Sequence, residues 1–229
     1  MKKILKWLDN YWYHYKWQTI IGVSFAVIIV ILVLQFAQKT DYDVSVIYAG
    51  PENVTANQTR EMESALSSLV SEDLNGDGKK NATMLNFFLL TEDQKEQMIK
   101  EADENGELVG INAAEMQNTR NSFTTHVFTG ESMICLLDPE WYDLIREQDG
   151  FLELSEILGT VPEYAVDGFA VRLCDTPFAK FYNIFSVLPK DTLLCFRRPS
   201  TASLLGDRDA ENEKYAKNKD VFRAIVEFE

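Results

Sequence analysis

The stretch DLNGDGKKN, residues 73 to 81, carries the residue types and the spacing with which calcium loops begin. Counted from Asp73, the residues Asn75, Asp77 and Asn81 occupy positions 3, 5 and 9 of a twelve-residue loop, and Gly78 stands at position 6, where the sharp turn falls. Such a loop closes on a bidentate acid at position 12. That position is Met84, which has no oxygen to offer and belongs to an apolar run rather than to an exiting helix. The stretch therefore reads as a helix-to-strand turn whose Asn-Gly and Asp-Gly pairs supply backbone freedom. Weak calcium binding by Asp73, Asn75, Asp77 and Asn81 is the lesser alternative.

Other chemistry lacks its parts. After residue 39 the chain has one histidine, His126, so His-rich zinc sites and most Ser-His or Cys-His nucleophile arrangements are excluded. There is no G-x-S-x-G, no phosphate loop and no H-E-x-x-H. The acids are many, but no spacing singles out a catalytic pair. No catalytic residue, resident metal or cofactor is expected, and the chain does not read as an enzyme. Of the three cysteines, Cys135 and Cys195 sit in the apolar runs MICLL and LLCF, where a cysteine acts as a small buried hydrophobe. With Cys174 the count is odd, so there is no complete disulfide framework; a bridge between two of the three stays open in an oxidising compartment.

The elements that position these residues begin at a membrane. Between Trp17 and Ala37 no charged residue interrupts WQTIIGVSFAVIIVILVLQFA, which is long enough to cross roughly 30 Å of hydrocarbon as a helix. A secretory signal would have a shorter apolar core ending in a small-residue cleavage site, so the segment is expected to remain as an anchor. Lys2, Lys3, Lys6 and Lys16 precede it against a single acid, Asp9, which keeps the N-terminus cytoplasmic by the positive-inside bias. YWYHYKW, residues 11 to 17, fits a belt of amphipathic rings at the headgroup level better than an aromatic recognition patch. The organisation that follows is a cytoplasmic tail at 1–16, a transmembrane helix at 17–38 and an extracytoplasmic domain at 39–229.

That domain is acidic. Residues 40–229 hold 17 basic and 35 acidic side chains, a net charge of −18. Nucleic acid, whose affinity comes from neutralised phosphates, is not an expected partner. A solvated, soluble surface explains so many acids more simply than acid-specific recognition does.

Strands and helices alternate along the domain. DVSVIYAG, residues 43 to 50, has the two-residue period of a strand and stops at Gly-Pro. Thr55 and Gln58 form a capping box for a helix whose core face is Met62, Ala65, Leu66, Leu69 and Val70. ATMLNFFLL, residues 82 to 90, has the length of a buried strand, and Thr91 with Gln94 caps a second helix running toward Ala102. A further helix is expected from Ile111 to Val127, ending at Gly130. ESMICLL gives another strand, after which Asp138 and Pro139 start a helix that Asp149 and Gly150 stop. DTLLCFRR, residues 191 to 198, reads as a strand, RPSTASLLGDRDAEN as a polar connection, and Tyr215, Val221, Phe222, Ile225 and Val226 as the inner face of a final helix.

The passage FTTHVFTGESMICLLDPEWYDLIREQDGFLELSEIL, residues 123 to 158, together with EYAVDGFAVRL, residues 163 to 173, resembles the first lobe of bacterial extracellular solute-binding proteins of the Gram-positive type. The resemblance covers roughly residues 42 to 173. It implies an α/β fold, a single three-layer lobe of the type 2 periplasmic-binding-protein kind, behind one transmembrane helix. Members of that family enclose a solute between two lobes, and this chain has length for one, so a small-molecule ligand is doubtful and the expected partner is a membrane or envelope protein. Ligands of open α/β sheets meet the strand ends, which here offer Tyr48 to Asn53, Thr91 and Asp138 to Trp141. Tyr48, Asp138 and Trp141 are the candidate binding residues, with Tyr48 and Trp141 as anchors for a protein.

Overall fold

Val44, Val46 and Tyr48 alternate with Ser45, Ile47 and Ala49, and this period makes β1 (Val44–Gly50) a strand with two covered faces. The computed structural model describes residues 2–37, 42–73, 75–105, 112–129, 132–199 and 208–228. After β1 come α2 (Ala56–Ser67), β2 (Ala82–Phe88), α3 (Glu92–Asn105), α4 (Ala113–Thr129), β3 (Ile134–Leu137), α5 (Pro139–Arg146), α6 (Leu154–Leu158), β4 (Ala170–Arg172), α7 (Pro177–Phe181), β5 (Leu193–Phe196) and α8 (Arg208–Val226).

Residues 42–229 form one unit around a five-stranded mixed sheet of order β2-β1-β3-β5-β4. β2, β1 and β3 are parallel, and β5 runs antiparallel to both of its neighbours. Alternation along each strand divides the core between the two faces. Val46, Tyr48, Ile134, Leu136, Leu194 and Phe196 pack with Met62 and Leu66 of α2 and with Val221, Phe222 and Ile225 of α8. Ile47, Ala49, Cys135, Leu137 and Cys195 pack on the other face with Phe123 of α4 and with Trp141, Tyr142 and Ile145 of α5. This is a three-layer α/β arrangement, as expected, and the mixed sheet is its finer feature.

Local signals act where the sequence places them. Thr55 and Gln58 cap α2 reciprocally, and Thr91 and Gln94 do the same for α3, with Gln94 Oε1 accepting the Thr91 N–H at 2.9 Å and Thr91 Oγ1 accepting the Gln94 N–H at 3.1 Å. Asp138 caps α5 with Pro139 in the first turn. Asp149, at φ 56°, turns the chain out of that helix, and Gly150 follows because a Cβ there would lie 2.4 Å from Ile145 Cγ2. Ile111 and Gly130, the expected ends of α4, lie outside the described residues, as do residues 200–207 of the polar connection.

One element is shorter than its sequence suggests. EYAVDGFAVRL contributes only β4, three residues long. Ahead of it Ala165 donates its N–H to the Pro162 carbonyl, and Asp167 Oδ1 accepts the N–H groups of Phe169 and Ala170, so the backbone folds back and Ala165 makes only an isolated bridge with Val171. All three cysteines are free thiols; Cys135 and Cys195 are buried register partners on β3 and β5, and Cys174 is exposed.

The other unit, residues 1–41, holds the single helix α1 (Lys2–Ala37). Its stretch Tyr11–Leu32 has mean hydropathy 1.8 and no residue buried against protein, and its 22 residues rise about 33 Å. It is long and apolar enough to cross a membrane. The aromatic cluster at 11–17 belongs to this same helix, with Tyr11 and Tyr15 stacked one turn apart at 5.4 Å between centroids. The expected boundary at residues 38 and 39 lies outside the described residues.

Candidate functional site

The strand order reverses between β1 and β3: the connection from β1 passes through α2 on one face, and the connection from β2 returns through α3 and then α4, whose Phe123 packs on the other. Crevices in open α/β sheets form outside the carboxyl ends of strands at such a point. Here those ends are Gly50 and Leu137.

The loops at this point are tied together. Gly50 O accepts the Leu89 N–H at 2.9 Å and Ala49 O accepts the Asp138 N–H at 2.9 Å. Asp138 Oδ1 accepts the Glu140 N–H at 3.0 Å, and its Oδ2 accepts Gln94 Nε2 at 2.9 Å. Asp138 and Thr91, each 6% exposed, are thereby joined through Gln94, which lies 44 residues before Asp138 in the chain. Both are committed to helix caps.

Tyr48 is fully buried, and its hydroxyl accepts the Glu52 N–H at 3.0 Å. Gly50 makes this possible, since a Cβ at that position would meet Tyr48 Oη at 2.8 Å. Burial pushes the phenol well above its ordinary pKa, the Glu52 amide pulls the other way, and the negative charges of Glu52, Asp138 and Asp191 add to the rise. The group keeps its proton at physiological pH.

Trp141 is 4% exposed, edge-on to Phe123 at 5.8 Å, with the Arg120 guanidinium 5.0 Å from its ring centroid. Tyr48 and Trp141 pack on opposite faces of the sheet. The structure thus joins Thr91, Gln94 and Asp138 but places the two aromatic anchors inside the molecule, in separate layers. The signal was present in the sequence: Tyr48 keeps step with Val44 and Val46, and Trp141 keeps step with Tyr142 and Ile145 on the inner side of α5.

In the turn after α2, Asp73 spends Oδ1 on the Gly76 N–H and Oδ2 on the Gly78 N–H, both at 2.7 Å. Asn75 Oδ1 accepts the Asp77 N–H and Asp77 Oδ1 accepts the Lys79 N–H, each at 2.8 Å. Gly76 and Gly78 supply positive φ at 73° and 81°. Asn81 starts the pairing of β2 by donating its N–H to Asp43 Oδ2 at 2.7 Å, and Met84 lies within β2 with its side chain buried. Among the described residues no three His, Cys, Asp or Glu side chains gather as a metal site.

Two surface clefts flank these regions. One of about 340 Å³ lies between α3 and α4, lined by Leu89, Lys95, Met116 and Arg120. The other, about 590 Å³, lies between α2 and residues 181–187 and is bordered by Phe181, which is 69% exposed. A third pocket, at the opposite end of the sheet, contains Arg197, a residue that sequence reasoning passed over as part of the run FRRP. Comparison with protein-family models, with curated proteins and with solved structures finds no match.

Proposed function

We propose that the chain is a membrane-anchored, extracytoplasmic binding or interaction module, built like one lobe of a solute-binding protein of the type 2 periplasmic kind, and accessory to a transport or envelope assembly. The observation that carries this reading is the sheet. Its parallel β2-β1-β3 half has helices on both faces and a reversal of strand order at β1 and β3, the place where such folds meet their partners. Lys2, Lys3, Lys6 and Lys16, in the N-terminal part of α1, support a single-pass orientation with the N-terminus in the cytoplasm.

Tyr48 and Asp138 are buried and already hydrogen-bonded within the chain, which favours a macromolecular partner over a solute held by those groups. Phe181, exposed beside the 590 Å³ cleft, gives a protein an apolar anchor. The same closure supports a second reading, a structural envelope protein with no small ligand at all.

Crosslinking in the native host followed by purification of the full chain tests the proposal. The expected result is a stoichiometric membrane or envelope protein, with no thermal shift from sugars or peptides. A tight sugar or peptide ligand that is lost on mutating residues 50–53 or 138–141 would overturn it. A mature chain beginning near Lys39, found by N-terminal sequencing, would overturn the anchor.

A further inference from the structure

Arg197 continues the face of β5 that carries Cys195, so its side chain enters the layer of α4 and α5 and is 3% exposed. Buried cations are ordinarily paired with an acid and have their donors satisfied. This one is not: among the described residues no carboxylate lies within ion-pair distance of it. Its side-chain hydrogen bond is from Nη1 to the His126 carbonyl, a long contact of 3.4 Å at the C-terminal turn of α4. A guanidinium has five N–H donors, and the helix end takes up one. Burial draws the pKa of the group down, as expected for a cation short of counter-charge.

Beside Arg197 lies a pocket of about 280 Å³, walled by Phe123 and Val127 of α4 and by Leu144 and Ile145 of α5. Leu144 is 48% exposed and stands on the open side. The neighbouring acid, Asp149, faces Arg198 at 3.6 Å, and Arg198 also donates Nε–H to the Phe151 carbonyl at 2.8 Å. That acid and its cation answer each other and leave Arg197 unanswered. The pocket belongs to the end of the sheet where Arg197 N–H meets Met133 O, ahead of β3, away from the Gly50 and Asp138 loops.

The geometry points to a binding site for a small organic monocarboxylate, its carboxylate held by Arg197 and its apolar body laid against Phe123, Val127, Leu144 and Ile145. A guanidinium matches a carboxylate in a two-bond fork, and for a cation as buried as Arg197 that match is stronger than on the open surface. The volume sits near the lower end of ligand pockets and holds roughly nine water-sized groups. An aryl-alkanoic acid fits that measure. A sugar would leave the apolar walls without contacts, and inorganic phosphate would leave most of the pocket empty. This site is separate from the strand-end loops, so it stands or falls independently of the partner proposed for them.

Titration calorimetry of the full chain in lipid nanodiscs, with empty discs subtracted, tests the site using 3-phenylpropionate and its uncharged primary amide. The acid is expected to bind at submillimolar concentration and the amide about tenfold or more weakly, the ratio set by a hydrogen-bonded charge pair. Arg197→Met should abolish that preference, and Leu144→Asp, at an exposed position that leaves the core intact, should weaken the acid by a similar factor. Equal binding of acid and amide, no binding of either at millimolar concentration, or acid binding that survives Leu144→Asp would overturn the proposal. The comparison of acid with amide on the unmodified chain decides the matter even where Arg197→Met does not fold.

Discussion

Glu63 on α2 and Met84 on β2 are joined across the outer edge of the sheet: Glu63 Oε1 accepts the Met84 N–H at 3.0 Å and the Thr83 hydroxyl at 2.8 Å. One helical turn on, Ser67 Oγ accepts the Ala82 N–H at 2.9 Å, and one turn back Thr59 Oγ1 accepts the Asn86 side-chain amide at 2.6 Å. β2 is an edge strand, and edge strands present unpaired donors to any other chain. On α2, Glu63 and Ser67 take up two of those donors, and Thr59 holds the Asn86 side chain beside them.

Glu63→Ala is therefore expected to destabilise residues 42–229 by about 1–3 kcal/mol, the cost of leaving a partly buried amide unpaired. Aggregation should accompany it and rise with protein concentration. Glu63→Gln keeps an acceptor oxygen and should lose less than half as much. Urea unfolding midpoints of the two variants provide the check, and equal loss in both would show that the acceptor is not the source of the stability.

The phenols of Tyr48 and Tyr142 predict an alkaline limit. Burial raises both, and at Tyr142 the hydrogen bonds to Asp167 at 2.9 and 2.8 Å and the charge of that carboxylate raise it further. A pKa above the unfolded value of about 10 means that the folded chain holds these protons more tightly. The stability they lend is full below pH 10 or so and is lost as pH climbs from there toward the folded values. Tyr142→Phe should flatten that decline and cost about 1–3 kcal/mol at neutral pH, since the bond removed is to a charged group. Chemical denaturation on either side of pH 10 measures both effects, and an unchanged slope in the variant would contradict the assignment.

Calcium should add little to the fold. Both carboxylate oxygens of Asp73 are engaged by backbone N–H groups, and the twelfth position is a methionine buried within β2. Millimolar affinity at best is expected by calorimetric titration of residues 42–229, with no more than a small shift in Tm. Micromolar binding removed by Asp73→Ala and Asp77→Ala would refute the turn.

Thiol labelling separates the cysteines by burial. Cys195 Sγ lies 3.6 Å from the Cys135 carbonyl in the middle of the sheet, and both residues are 0% exposed, whereas Cys174 is exposed. A maleimide should modify Cys174 promptly and the other two only on unfolding. Rapid loss of all three thiols from the native protein would be inconsistent with the β3–β5 register.

Much of this protein is decided within a few residues of chain. The uncharged run of α1, the caps at Thr55, Thr91 and Asp138, the stop at Asp149 and Gly150 and the two-residue period of β1 each depend on neighbours one helical turn or one strand pleat away, so the amino-acid types alone disclose them. The candidate site was only partly legible for the complementary reason. Periodicity says that Tyr48 and Trp141 have inner faces, but their removal from the strand-end loops depends on how α2 and α5 settle on opposite sides of the sheet. The placement of β5 between β3 and β4 rests on pairings such as Cys135 with Cys195, which are 60 residues apart. Arg197 shows the limit most sharply: its type and its local sequence suggest a surface residue. Alternation along β5 places its side chain on the α4 and α5 face, and only the packing of those two helices decides that the charge is enclosed with no acid to meet it among the described residues.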